Sequence, residues 1–145
     1  MRQQLIRSIA TLAYVWGYAL LLMERERRRM IGSGRHQFPL NTFNHARHLM
    51  TPRYRGVILP NNDTLYSLAW LDLQHEPVLL EAPNTQDRYY VLPLMDMYQN
   101  IIASLGRRQH GTATQRWVVT GPGWCGELPA GIPVVRVPTN DVWII

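Results

Sequence analysis

Apolar residues recur at Leu5, Ile9, Leu12, Trp16, Leu20 and Met23, the three- and four-residue steps that gather side chains onto one stripe of an α-helix. Ile6, Ala13 and Ala19 widen the stripe, and Gly17 marks a point of close packing within it. The charged run Glu24-Arg25-Glu26-Arg27-Arg28-Arg29 closes the helix with cations where its dipole favours them, and Ser33-Gly34 stop it. From Val57 the pattern changes to short β-prone stretches divided by Pro, Gly and Asn. It predicts strands near Val57–Leu59, Leu65–Leu73, Val78–Ala82, Arg88–Leu94, Trp117–Thr120, Val134–Val137 and Val142–Ile145. Asn84 to Asp87, Gly121-Pro122-Gly123 and Pro129-Ala130-Gly131 supply turn chemistry, and Pro93 inside an apolar run predicts a bulge or an edge strand. The fold class that follows is α+β, mainly β: an N-terminal amphipathic helix packed on an antiparallel β-sandwich.

Length and composition agree with one domain. A chain of 145 residues can bury a genuine core, and its apolar and charged fractions are ordinary. All basic residues are arginine, giving a formal charge of +5. Arginine forks suit an anionic partner, whereas coding bias with dispersed charge is the blander reading. The arginine cluster carries no interleaved aromatics, which disfavours nucleic acid. Cys125 is the single cysteine, so no internal disulfide forms and no zinc-ribbon spacing exists. Ser8 to Met23 is free of charge and preceded by Arg2 and Arg7, the outline of a signal or membrane segment. It is shorter than the roughly 20 residues that span a bilayer, and no small-x-small cleavage site precedes Glu24 and Glu26. The expectation is a soluble helix without a membrane span, with the cytoplasm slightly favoured. The chain ends on Val142-Trp143-Ile144-Ile145, an apolar strand that exposes a sticky edge unless something covers it. Pairing with another chain, or a shortened polypeptide, is the expectation there.

Several ordered segments carry a resemblance. They are Ala13-Tyr14-Val15-Trp16-Gly17-Tyr18; Asn41, Phe43, His45, Ala46 and Arg47 in an Asn-x-Phe-x-His-x-Arg pattern; and Pro60 through Leu73. Arg88-Tyr89-Tyr90 with Asp96, Asn100, Ser104, Gly106, Arg108 and Gly111 continues it. Gly121-Pro122-Gly123-Trp124 and Pro138-Thr139 with Val142-Trp143 complete it. The chain resembles the family known as domain of unknown function 1254 over nearly its whole length, departing where Ala19 replaces the family's proline. The resemblance implies one 1254-type domain over residues 1–145, with the second, β-rich 1214-type domain that usually follows being absent. It implies no established activity.

Three groups of residues could carry chemistry. Asn61, Asn62 and Asp63 at the mouth of a strand form either an Asx-turn or a polar floor for a hydroxyl-rich ligand. Tyr66 and Trp70, four apart on that strand, share a face as ligand contacts beside that floor; the alternative for Trp70 is core packing, and the Tyr66 hydroxyl needs a partner if buried. His45 beside Arg47 forms a base with a cationic neighbour, or a histidine satisfied by the backbone. His45 and His48 have helical metal spacing but no ordered third ligand, so no metal is assigned. Asp96, Asn100 and Arg108 read as an ion pair pinning a loop at Gly106, or as part of a ligand site. If the groups converge, His45, Arg47 and Tyr66 suit proton abstraction beside a carboxylate, as in β-elimination from an acidic polysaccharide. No nucleophile elbow, phosphate loop or dinucleotide fingerprint is present, and no cofactor is implied. The leading expectation is a binding or half-site module for a polar, saccharide-like or anionic small molecule. Alternatives are a lyase or hydrolase on an anionic carbohydrate, and a structural partner of a separate 1214-type domain or of itself through the C-terminal strand.

Overall fold

Both faces of the strand Ser67–Asp72 are covered, and this organises the fold. The computed structural model describes residues 2–56 and 59–145. Its elements are α1 (Arg2–Met30), β1 (Asn44–His45), β2 (Ser67–Asp72), β3 (Val78–Ala82), β4 (Val91–Met95), β5 (Ile101–Gly106), α2 (Arg107–His110), β6 (Gln115–Thr120), β7 (Val134–Arg136) and β8 (Asp141–Ile144). A five-stranded sheet runs β1-β2-β8-β4-β5 and a three-stranded sheet runs β3-β6-β7. All pairings are antiparallel except β6 with β7. The architecture is the expected helix plus mainly antiparallel sandwich.

The two-residue period of a strand sends alternate side chains to opposite faces. Ala69 and Leu71 of β2 and Val142 and Ile144 of β8 therefore enter the inter-sheet core. There they meet Leu80 and Ala82 of β3 and Trp117 and Val119 of β6. Leu68, Trp70 and Trp143 face the other way, into a second core with Met23, Met30, Phe38 and Met97. Trp70 and Trp143 are cross-strand partners and stack with ring centroids 5.6 Å apart and planes within 5°.

The C-terminal strand is central: Leu94 and Met95 of β4 pair with it on one side and Ala69 to Asp72 on the other. That position explains its apolar sequence, and it leaves neither side of β8 as a free edge. Pro93 has the predicted bulge beside it, between Leu94 and Met95, and lies beyond the stretch of β4 that pairs with β8. Strand β5 was not expected from the sequence. The expected strand at Val57–Leu59 falls on residues 57 and 58, outside the described residues.

The helix differs from expectation. It spans 29 residues, yet only Met23 is buried, with Leu20 and Met30 half-buried against the sheet. Residues 2–16 are exposed throughout. By length and composition α1 could cross a membrane: an 18-residue window has mean hydropathy 1.5, and none of it is buried. Helix and sheet are tied by Arg27, whose Nε donates to Asp141 Oδ1 at 2.7 Å with both side chains largely covered. A double-mutant cycle with Arg27→Ala and Asp141→Ala should give a coupling of about 1 kcal/mol that weakens in salt.

Thr120 is fully buried and its hydroxyl has no hydrogen-bond partner among the described residues. Replacing it with the near-isosteric Val removes an unpaid desolvation. Thr120→Val should raise stability by about 1 kcal/mol in urea denaturation.

Candidate functional site

The Asn-x-Phe-x-His pattern runs beside β2, and only its end, Asn44–His45, is the edge strand β1. Asn41 adopts a left-handed backbone (φ 56°), tolerated by Asn. Its side chain extends the sheet beside β2: Oδ1 accepts from the Asp72 N–H at 2.8 Å and Nδ2 donates to the Asp72 carbonyl at 3.3 Å. Phe43 packs on the inter-sheet core, and the His45 ring stacks on it at 5.7 Å. His45 Nδ1 lies 2.8 Å from Ser67 Oγ, its cross-strand neighbour. Asn41 and His45 are thereby engaged by the fold.

The loop before β2 is an Asx-turn. Asn61 Oδ1 accepts from the N–H groups of Asp63 (2.7 Å) and Thr64 (3.3 Å), while its Nδ2 donates to Thr64 Oγ1 (2.9 Å). Asn62 and Asp63 are exposed.

Between this loop, β1, the last turn of α1 and the end of β8 lies a cavity of about 580 Å³. Met30, Met50, Leu68, Trp143 and Ile145 give it an apolar lining. Asn44, Tyr54, Asn61 and Tyr66 add polar groups, and Glu26 and Arg29 bring charge. Arg29 donates to Glu26 Oε2 from both Nε (2.9 Å) and Nη2 (2.8 Å), and its side chain is more than half exposed. The volume lies within the range of small-molecule pockets, roughly 300–1,000 Å³.

Three sequence-predicted residues line this cavity: His45, Asn61 and Tyr66. They do not all face it alike. Asn44 pairs with Leu68 and His45 with Ser67, so the His45 imidazole shares Ser67's face and Tyr66 shares Leu68's. Arg47 is exposed and outside the lining, as are Asn62 and Asp63.

Trp70 is wholly buried, so the ligand contact suggested for it gives way to packing. The suggested Asp96–Arg108 ion pair is also corrected. Asp96 is buried in the β4–β5 turn, where it accepts from the N–H groups of Tyr98 and Asn100 and from Asn100 Nδ2. Asn100 belongs to that turn. Arg108 stands apart on α2, beside a smaller cleft of about 200 Å³. Burial pushes the Tyr90 hydroxyl up from its ordinary value, and it too lies outside the main cavity.

Sequence reasoning passed over Glu26, Arg29, Asn44, Tyr54 and Trp143. Only the Glu26–Arg29 step within the charged run hinted at them. Among the described residues no three His, Cys, Asp or Glu gather as a metal site.

Comparison with known proteins agrees with this fold. The family profile described as "Protein of unknown function (DUF1254)" matches residues 40–145. No curated protein matches the chain. A crystal structure of the VPA0106 protein from Vibrio parahaemolyticus is similar, with 30% sequence identity and a TM-score of 0.69. The similarity covers 91% of this chain and 30% of that one, so the chain spans less than a third of its solved relative. With the profile running from the Asn41 edge through β8, the chain belongs to the DUF1254 family, whose function is unknown.

Proposed function

We propose that the domain binds, alone or as half of a larger site, a small molecule with an apolar face and a polar or anionic end. The observation that carries this reading is the mixed lining of the main cavity. Leu68, Trp143 and Ile145 offer surface for a ring or sugar face. Arg29, whose Nε and Nη2 hold Glu26, keeps its Nη1 for a carboxylate at one wall, and Tyr66 and Asn44 are hydrogen-bonding groups in the same lining. Saccharides and uronates combine such faces, as do aromatic acids.

Acid–base catalysis through His45, Arg47 and Tyr66 is not favoured. His45 and Tyr66 occupy opposite faces of the sheet, and Arg47 is outside the lining.

Calorimetric titration with a panel of neutral sugars, uronates and aromatic carboxylates tests the proposal. An anionic ligand should bind the unaltered chain and lose roughly 10-fold or more in affinity with Arg29→Gln or Tyr66→Ala. A neutral ligand should respond to Tyr66→Ala alone. Binding of no compound in the panel, or binding indifferent to both variants, would overturn the reading.

A further inference from the structure

We propose that the main cavity takes an acyl-chain monocarboxylate, an unbranched apolar tail ending in one carboxylate, rather than a saccharide. This rests on the ligand reading above and narrows it to one chemical class.

The polar side chains of the lining offer less than their number suggests, because the fold already uses several. Asn61 spends its Oδ1 on the Asp63 and Thr64 N–H groups and its Nδ2 on Thr64 Oγ1. His45 Nδ1 lies 2.8 Å from Ser67 Oγ, and its ring shares Ser67's face of the sheet, opposite that of Tyr66. Glu26 Oε2 is held by two nitrogens of Arg29. Left for a ligand are Arg29 Nη1 and the side chains of Asn44, Tyr54 and Tyr66. A saccharide carries a hydroxyl on nearly every ring carbon, and each one buried without a partner weakens binding. An acyl-chain acid asks for partners at one end only.

The lining is polarised in the same sense. Arg29, Asn44 and Tyr54 are exposed, whereas Met30, Met50, Leu68 and Trp143 are half-buried. A carboxylate on Arg29 Nη1 with its tail along the half-buried apolar wall satisfies both parts together. Met30 and Met50 are unbranched and adjust their shape to a flexible chain. The Glu26 carboxylate beside Arg29 opposes a second anionic group, which favours one carboxylate over two. A volume of about 580 Å³ has room for a tail of medium length.

Calorimetric titration with hexanoate, octanoate and decanoate, each below its micellar concentration, tests this beside galacturonate and neutral sugars. Affinity should rise about fourfold per added methylene, the gain from burying each one. Arg29→Gln should weaken every acid roughly 10-fold and leave that slope unchanged. Met50→Glu, a substitution in a loop, should weaken decanoate more than hexanoate and flatten the slope. Leu12→Arg, on the exposed stripe of α1, should change neither affinity nor slope. Affinity that does not grow with chain length, or galacturonate binding more tightly than decanoate, would overturn this inference and leave the broader ligand reading standing. A slope abolished by Leu12→Arg and untouched by Met50→Glu would assign the tail to the helix, and overturns it too. Binding of none of these compounds would overturn both.

Discussion

Trp70→Ala should lower the stability of the chain by about 3–5 kcal/mol, the cost of truncating a large buried aromatic. Trp70 has no exposed surface and stands where three parts of the molecule meet. Its ring stacks on Trp143 of β8, and it shares a core with Met23 of α1, Phe38 and Met97. Removing it empties the floor beneath the helix and unstacks its partner together, so collapse of neighbours can recover little. For a domain of this size each kcal/mol shifts the melting temperature by roughly 2–4 °C, so a fall near 10 °C is expected. Trp70→Phe separates packing from polarity. It keeps an aromatic against Trp143 and discards an indole N–H that has no partner among the described residues. Its cost should be about 1–2 kcal/mol. Guanidinium denaturation followed by circular dichroism checks both. If Trp70→Ala costs under about 1 kcal/mol, the core beneath the helix does not contribute to stability as described.

What the sequence made legible was alternation. β2, β3, β6, β7 and β8 are runs in which apolar residues repeat at period two or fill a short β-prone segment, and each was located to within two residues at either end. β5 escaped because Ala103, Ser104 and Gly106 are poor strand formers. It forms because β4 pairs with it from Val91–Gly106 through Met95–Ile101. Strand order was not readable either. Placing β8 between β2 and β4 joins residues some seventy positions apart, as Trp70 with Trp143 shows. The helical stripe was real, but periodicity cannot say what a stripe packs against, and half of it, Leu5, Ile9 and Leu12, is exposed.

The candidate site was legible in part and for a specific reason. Polar residues at strand mouths stand out, which brought Asn61, Tyr66 and His45 forward. Whether such a residue serves the fold or a ligand depends on which neighbour takes its hydrogen bonds. Asn61 closes a turn, and His45 meets Ser67. The cavity's other walls come from the end of α1 and the end of β8, which only the tertiary fold brings beside them.

Asp96 shows the same distinction with an effect of nearly the same size as Trp70. It drew notice as a charged residue near Arg108, yet its carboxylate is spent entirely within its own turn. Oδ1 accepts from the Tyr98 N–H at 2.8 Å and the Asn100 N–H at 2.9 Å, and Oδ2 accepts from Asn100 Nδ2 at 2.9 Å. These bonds hold a turn in which Gln99 takes a left-handed backbone at φ 65°. Asp96→Ala leaves two backbone donors and an amide without an acceptor in a partly buried place. A loss of about 3 kcal/mol is expected, since hydrogen bonds to charged groups contribute roughly 1.5–3 kcal/mol each and water recovers some of it. Asp96→Asn should cost less, about 1–2 kcal/mol, because its carbonyl oxygen can still serve the two N–H groups. Its amide then meets the Asn100 amide donor to donor. Asn100→Asp in that background supplies an acceptor again, so the double exchange should recover stability lost by Asp96→Asn. Urea denaturation of the unaltered chain, Asp96→Asn, Asn100→Asp and the double exchange measures this directly. Recovery means that the pair acts through its mutual hydrogen bond, whereas additive losses would show that the Asp96 carboxylate acts through the backbone N–H groups alone.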